Sequence, residues 1–114
     1  MIIIDSDTPY EKVLTIPKGK AGVLIYRRLY EQMAKVLLEI LIREEELTLN
    51  TLISKVDHQL RNHFQGNIAW HLVHVKQDLE SQGFLQTFFI IRSYPVVRIN
   101  KKNIRKSFWN YLLV

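Results

Sequence analysis

A periodic apolar stripe marks residues 64–84 as the stretch around which the chain is organised. Apolar residues recur there at intervals of three and four positions: Ile68, Leu72, Val75 and Leu79. This spacing is typical of the buried face of a helix. Asn67 is expected to cap its first turn, and Gly83 is expected to end it in a left-handed conformation. The pattern therefore predicts a helix with defined ends.

Two apolar patterns upstream predict two more helices. The longer covers residues 25–45, and the second covers about residues 50–61 with Asn50 as its N-cap. Residues 47–49 are expected to form a short strand between them. The short link between the second and third helices, residues 63–66, suits a helix-turn-helix corner.

The remaining patterns are extended. Residues 84–91 and 96–99 are rich in β-branched and aromatic side chains and flank a compact polar turn, which predicts a hairpin. At the other end of the chain, residues 2–4 and 13–16 are β-prone runs separated by turn-forming residues, and they predict an N-terminal hairpin.

This order of elements predicts an α+β fold of the winged helix-turn-helix type. It has a three-helix core with a C-terminal β-hairpin as the wing, an N-terminal β-hairpin and a C-terminal helical tail. At 114 residues the chain is expected to be a single domain. Residues 1–22 hold the N-terminal hairpin and connector, residues 23–100 the winged-helix core, and residues 101–114 the basic and aromatic tail.

Composition excludes several classes of function. The chain has no cysteine, so disulfides and thiolate chemistry are absent. The N-terminal residues resemble neither a signal peptide nor a membrane span, and we expect a cytoplasmic protein. No serine lies in a nucleophile motif, and the four histidines lack the spacing of a metal site. We therefore expect no enzyme, no metal and no cofactor.

The positive charge is concentrated in one half of the chain. Residues 1–57 contain eight Lys or Arg and nine Asp or Glu, whereas residues 58–114 contain eight and two. A basic C-terminal half has two interpretations: a soluble basic surface, or an electrostatic footprint for a polyanion such as DNA.

The outward residues of the third helix are the candidate base readers. On a helical wheel Trp70, Val73, His74 and Gln77 point away from the apolar stripe. Gln77 is suited to adenine, His74 to a base edge or a phosphate, and Asn67 lies at the helix start. Trp70 and Val73 instead favour packing against a partner or against the N-terminal hairpin.

The wing and the tail contain the candidate phosphate contacts. These basic residues are Arg92, Arg98, Lys101, Lys102, Arg105 and Lys106. The tail then becomes apolar, and its aromatic residues are Phe108, Trp109 and Tyr111. At helical spacing beside leucines, these aromatic residues favour a core or dimer contact over base stacking.

The third helix also resembles a known family. From Trp70 to Gly83 the chain contains a tryptophan, four residues and then V-K-x-D-L-E-x-x-G. This segment is similar to the signature of a family of small uncharacterised bacterial winged-helix proteins, and residues 30–33, Y-E-Q-M, resemble that family's first-helix motif. The resemblance implies the winged-helix fold for about residues 13–99, and it implies no functional residue.

The sequence therefore predicts a winged-helix protein that binds DNA through its wing and basic tail, acts as a small regulator, and forms a homodimer. The alternative is a protein-interaction or dimerisation module that binds no nucleic acid. A third interpretation is binding of the basic, aromatic tail to a membrane surface.

Overall fold

The computed structural model describes residues 2–3, 12–15, 22–90 and 94–100. Within these ranges the elements, in chain order, are β1 (Ile2–Ile3), β2 (Lys12–Thr15), β3 (Val23–Tyr26), α1 (Arg27–Glu44), β4 (Glu46–Thr48), α2 (Leu49–Leu60), α3 (Ile68–Ser81), β5 (Leu85–Phe89) and β6 (Pro95–Ile99). The predicted α+β class is confirmed.

Two small antiparallel sheets flank the helices. In the first sheet β2 lies between β1 and β3, and Ile2 faces Leu14. The pairing of the two predicted N-terminal runs is therefore confirmed. In the second sheet β6 lies between β4 and β5. Val97 of β6 pairs with Leu47 of β4 on one side and with Thr87 of β5 on the other. The strand between α1 and α2 thus joins the hairpin that follows α3.

Helix α1 is the centre of the core. Half of its 18 residues are buried: Leu29, Tyr30, Met33, Ala34, Val36, Leu37, Leu38, Ile40 and Leu41. A helix at the surface buries a narrower stripe than this, so neighbours must cover more than one side of α1. It packs against α2, α3 and strands of both sheets. Helix α1 therefore joins the other two helices to both sheets.

The prediction missed one strand. Residues 23–26 form β3, whereas the sequence pattern extended the first helix back to residue 25. Ile25 is buried while Leu24 and Tyr26 are exposed, which is the alternation of a strand with one buried face. Ile25 and Leu29 are also four residues apart, which is the spacing of an apolar stripe on a helix. This spacing is the reason why the predicted helix extended back to residue 25.

The predicted N-cap of α2 was wrong. Thr48 caps this helix: its backbone is extended, and its Oγ1 accepts a hydrogen bond from the Thr51 N–H at 3.3 Å. Asn50 lies inside the first turn instead. Thr48 is also the last residue of β4 and faces Val96, so strand pairing sets the point at which the helix begins.

The helical tail predicted for residues 101–114 lies outside the described residues. Among the helices that the structure describes, none combines the length and the apolar character needed to cross a membrane.

Candidate functional site

Helix α3 begins as the sequence predicted. Asn67 is its N-cap, and the Asn67 side-chain oxygen accepts a hydrogen bond from the Trp70 N–H at 2.8 Å. His71 lies over this first turn, with its Nδ1 2.7 Å from the Asn67 carbonyl oxygen and its ring edge-on to buried Phe64. Gly66 lies so close to His71 that a Cβ there would come within 2.7 Å of the imidazole Cε1. The corner between α2 and α3 is therefore tightly packed.

Helix α3 also ends as predicted. Gly83 has a φ of 85°, and the Gly83 N–H donates to the Glu80 carbonyl at 3.0 Å. The Phe84 N–H donates to the Leu79 carbonyl at 2.9 Å. These two bonds define a Schellman motif, which requires a residue that tolerates a left-handed backbone. The length of α3 is thus fixed at both ends by local sequence.

The apolar stripe of α3 faces the core. Leu72, Val75 and Leu79 are completely buried, and Ile68 packs against them at the edge of the core. The helix lies between α1 on one side and β5 on the other. Each of these two contacts includes a cluster of polar side chains that the sequence pattern did not predict.

The first cluster joins α3 to α1. The Tyr30 hydroxyl donates to Asp78 Oδ2, and the Gln82 amide donates to the same oxygen at 2.7 Å. Tyr30 and Asp78 are both completely buried although they are 48 positions apart in the chain. A buried carboxylate requires such donors, because its transfer from water is otherwise very unfavourable. We call Tyr30, Asp78 and Gln82 the buried cluster.

The second cluster joins α3 to β5. The Lys76 ammonium donates to Glu80 Oε1, and it lies 3.3 Å from Thr87 Oγ1. Thr87 in turn donates to Glu80 Oε1 at 3.0 Å, which closes a triangle of three polar groups. The Lys76 side chain is only 8% exposed and that of Glu80 is 27% exposed. We call Lys76, Glu80 and Thr87 the edge cluster.

Between the two clusters lies the face of α3 that points away from the core. We call it the outer face, and it consists of Asn67, Trp70, Val73, His74 and Gln77. Trp70 is 41% exposed, and its ring lies 4.3 Å from the ring of His74 and 4.9 Å from that of His71. Val73, His74 and Gln77 are half-buried. The structure therefore brings the five predicted contact residues of this helix together on one surface.

No Lys, Arg, Asp or Glu belongs to this outer face. The charged residues of α3 are Lys76, Asp78 and Glu80, and all three belong to the two clusters at its sides. The outer face presents amide, imidazole, indole and isopropyl groups instead.

Arg98, a predicted phosphate contact, lies on strand β6 of the hairpin. Its Nε donates to Gln86 Oε1 at 3.1 Å, and its guanidinium carbon lies 4.8 Å from the centre of the Phe88 ring. Glu46 of β4 is its neighbour on the other side in the strand register. Three large apolar residues near the turn of this hairpin are exposed: Phe89, Ile90 and Tyr94.

The other predicted site residues lie outside the described ranges: Arg92, Lys101, Lys102, Arg105, Lys106, Phe108, Trp109 and Tyr111. Residues 22–90 and 94–100 contain eight Lys or Arg and eight Asp or Glu, and residues 1–21 contain three of each. The net charge of +5 is therefore equal to the charge of Arg92, Lys101, Lys102, Arg105 and Lys106 together.

Sequence reasoning missed Tyr30, Lys76 and Gln82 as partners in polar clusters. Asp78 directly precedes the buried Leu79 and follows Val75 by three positions, so it lies at the border of the apolar stripe. This border position is the feature of the sequence from which the burial of the Asp78 carboxylate could have been predicted. Within the described residues, no three His, Cys, Asp or Glu side chains come together as a group able to hold a metal ion.

Comparison with known proteins gives one match. A family model described as a family of unknown function, DUF6958, matches residues 12–89, which is more than half of the chain. No curated protein and no solved structure matches the sequence.

Proposed function

The chain belongs to the DUF6958 family, a family of unknown function, and we propose that it is a winged-helix protein that binds duplex DNA. The order of elements supports this proposal. Helices α2 and α3 follow each other across a short corner, and the β5–β6 hairpin comes next, with β4 at its side. This order supports the proposal, because a winged helix has the same sequence of elements, with the recognition helix in the place of α3.

The observation that carries the proposal is the withdrawal of both carboxylates of α3 from its outer face. Asp78 is buried against Tyr30, and Glu80 is held by Lys76 and Thr87. A carboxylate on a helix that enters a DNA groove would be repelled by the phosphates on both sides. The groups that remain on the outer face include no carboxylate, and they suit base edges and thymine methyl groups.

The affinity comes from outside α3. Because residues 1–90 and 94–100 contain eleven basic and eleven acidic residues, attraction to phosphates depends on Arg92, between β5 and β6 in the sequence, and on the four basic residues that follow β6. Arg92 and residues 101–106 directly adjoin the two ends of the β5–β6 hairpin in the sequence. In a winged helix this hairpin lies beside the recognition helix, so we expect cations that adjoin the hairpin in the sequence to contact the DNA backbone while α3 meets the groove.

The direct test is binding of the full chain to a labelled random-sequence duplex at about 50 mM and about 200 mM salt. We expect binding at low salt and roughly a hundredfold weaker binding at the higher salt, because four or five phosphate contacts release a similar number of counterions. Replacement of Lys101, Lys102, Arg105 and Lys106 by alanine should abolish most of this binding and flatten the salt dependence.

The matched control removes four positive charges from helices α1 and α2: Arg27, Lys35, Arg43 and Lys55 are changed to alanine. This control has the same net charge as the tail variant, and it should bind within a few-fold of the unmodified chain. Equal losses in both variants would mean that only total charge matters. A folded protein that does not bind DNA at low salt would refute the proposal.

A second candidate function is association with a second copy of the chain, and the exposed apolar residues of the hairpin favour it. Phe89 is 63% exposed, Ile90 is 65% exposed and Tyr94 is 56% exposed. Large neighbouring apolar side chains at a surface are typical of interaction sites. Trp70 is a further exposed apolar residue, and the sequence after residue 100 contains Phe108, Trp109 and Tyr111.

Sedimentation of the full chain and of a Phe89→Ser, Ile90→Ser variant would test this second candidate. We expect a dimer that is insensitive to salt and that the double substitution converts to monomer, since an apolar interface is not screened by ions. A monomer at all concentrations would eliminate homodimerisation through the hairpin.

A further inference from the structure

The outer face of α3 allows a more specific statement, which rests on the proposed DNA binding. We propose that Gln77, with Trp70 and Val73 beside it, makes α3 select A·T base pairs in the groove that it contacts.

The first step concerns guanine. The commonest specific contact to a G·C pair is a guanidinium or ammonium group that donates to guanine O6 and N7. Helix α3 contains one such side chain, Lys76, and its ammonium is held by Glu80 and Thr87 at the β5 side. Without an available guanidinium or ammonium group, α3 lacks the commonest means of selecting guanine.

The second step concerns cytosine. A carboxylate can accept a hydrogen bond from the cytosine amino group. Asp78 and Glu80, the two carboxylates of α3, are bonded within the buried cluster and the edge cluster. Both members of a G·C pair therefore lack their usual partner on this helix.

The third step concerns adenine and thymine. Gln77 lies near the middle of the outer face, and none of the residues that the structure describes forms a hydrogen bond with its side-chain amide. An amide side chain pairs with adenine by donating to N7 and accepting from N6. Val73 is one turn before Gln77 on the helix and Trp70 is two turns before it, so apolar groups lie on the N-terminal side of the amide. Apolar side chains of this kind contact the thymine methyl group.

The geometry thus gives each residue a part in recognition. Gln77 determines the preference for adenine at one base pair, and Val73 and Trp70 favour thymine at adjacent positions. Trp70 is held beside His74 and His71, whose rings lie within 5 Å of its own, which restricts where the indole can lie.

The test is selection of preferred sites from a random duplex library by three proteins: the unmodified chain, Gln77→Ala and Gln77→Arg. We expect the unmodified chain to enrich A·T pairs at two or more adjacent positions. Gln77→Ala should lose about tenfold in preference at one of them while it keeps its affinity for random duplex, because one bidentate pair is removed and the phosphate contacts remain. Gln77→Arg should change that position to G·C.

Each other outcome counts against the inference in a distinguishable way. If the unmodified chain binds duplex but enriches G·C pairs or no pairs, the inference is wrong and the proposed function stands. If A·T enrichment is the same in Gln77→Ala, the preference arises from the shape of A·T-rich DNA and not from Gln77. Absence of binding by all three folded proteins would refute both the inference and the proposed function.

Discussion

The sides of α3 and its outer face differ in where they place charge. At the sides, the three charged residues of the helix are all engaged: Asp78 with Tyr30 and Gln82, and Lys76 with Glu80 and Thr87. The outer face, from Asn67 to Gln77, contains no Lys, Arg, Asp or Glu. The charged residues of this helix therefore take part in its packing against α1 and β5, whereas its outer face contains none of them.

The structure gives Lys76 a different role from the one that its helix suggests. A lysine in a helix that resembles a DNA-recognition helix suggests a phosphate contact, but the Lys76 side chain is 8% exposed and its ammonium is bonded to Glu80. Its position toward β5 makes it part of the attachment between the helix and the hairpin. Stability and binding should thus respond to different substitutions on the same 14-residue helix.

The largest effect is expected from Asp78→Ala. This change leaves the buried Tyr30 hydroxyl and the Gln82 amide without their acceptor, and we expect a loss of about 3 kcal/mol in the free energy of unfolding. The melting temperature should fall by roughly 10 °C. The matched control is Asp57→Ala, which removes a half-exposed carboxylate bonded to Arg61 at 3.0 Å and should cost about 0.5 kcal/mol. Equal losses in the two variants would contradict the importance of the buried cluster.

A smaller loss is expected from Gly66→Ala at the start of α3. The new Cβ would lie 2.7 Å from His71 Cε1 and 3.2 Å from Phe64 Cε2, so the imidazole would have to move from its place over Asn67. Overpacking of this kind costs about 1–2 kcal/mol. Denaturant unfolding of Gly66→Ala, His71→Ala and the double variant measures the coupling between the two sites. We expect Gly66→Ala to cost little in the His71→Ala background, and full additivity would show that the two residues do not collide.

Lys76→Met should cost about 1 kcal/mol in stability, and the double variant Lys76→Met, Glu80→Gln should leave duplex affinity unchanged. The methionine keeps most of the buried aliphatic chain, and Glu80→Gln prevents the release of a carboxylate toward the DNA. The control for stability is the Lys55→Met variant. The Lys55 ammonium lies 3.7 Å from Glu44, and the Lys55 side chain is 41% exposed. A large loss of duplex affinity in the double variant at unchanged fold would assign Lys76 to the binding surface.

The smallest effect on stability is expected from Gln77→Ala on the outer face. Alanine has a high helix propensity and Gln77 lies away from the core, so the free energy of unfolding should change by less than about 0.5 kcal/mol. Thermal unfolding followed by circular dichroism checks this. A loss above about 1 kcal/mol would mean that Gln77 has a structural role like that of the residues at the sides of α3.

Local features of the fold could be predicted from the sequence, and features that depend on contacts between distant residues could not. Asn67 and Gly83 mark the ends of α3 because a cap and a Schellman motif involve only a few consecutive residues. Thr48 and Asn50 are both good N-caps, and the pairing of β4 with β6 decides between them. No local pattern contains that information.

The same reason explains what was missed in the candidate site. The outward direction of Trp70 and Gln77 follows from helical geometry alone, so the outer face was predictable. The burial of Asp78 depends on Tyr30, which is 48 positions away. The burial of Lys76 depends on Thr87 of a strand that begins after the helix has ended. Predicting both clusters requires the packing of α3 against α1 and β5.

The most direct test of the account is an NMR titration of the labelled full chain with a short duplex, because it reports on both parts of α3 in one experiment. We predict that the signals of the outer face shift, including the Trp70 indole and the Gln77 side-chain amide, together with signals of the basic tail. The signals of Tyr30 and Gln82 should stay in place. Shifts confined to surfaces other than the outer face of α3, or no shifts in a folded protein, would contradict the assignment of this face to DNA.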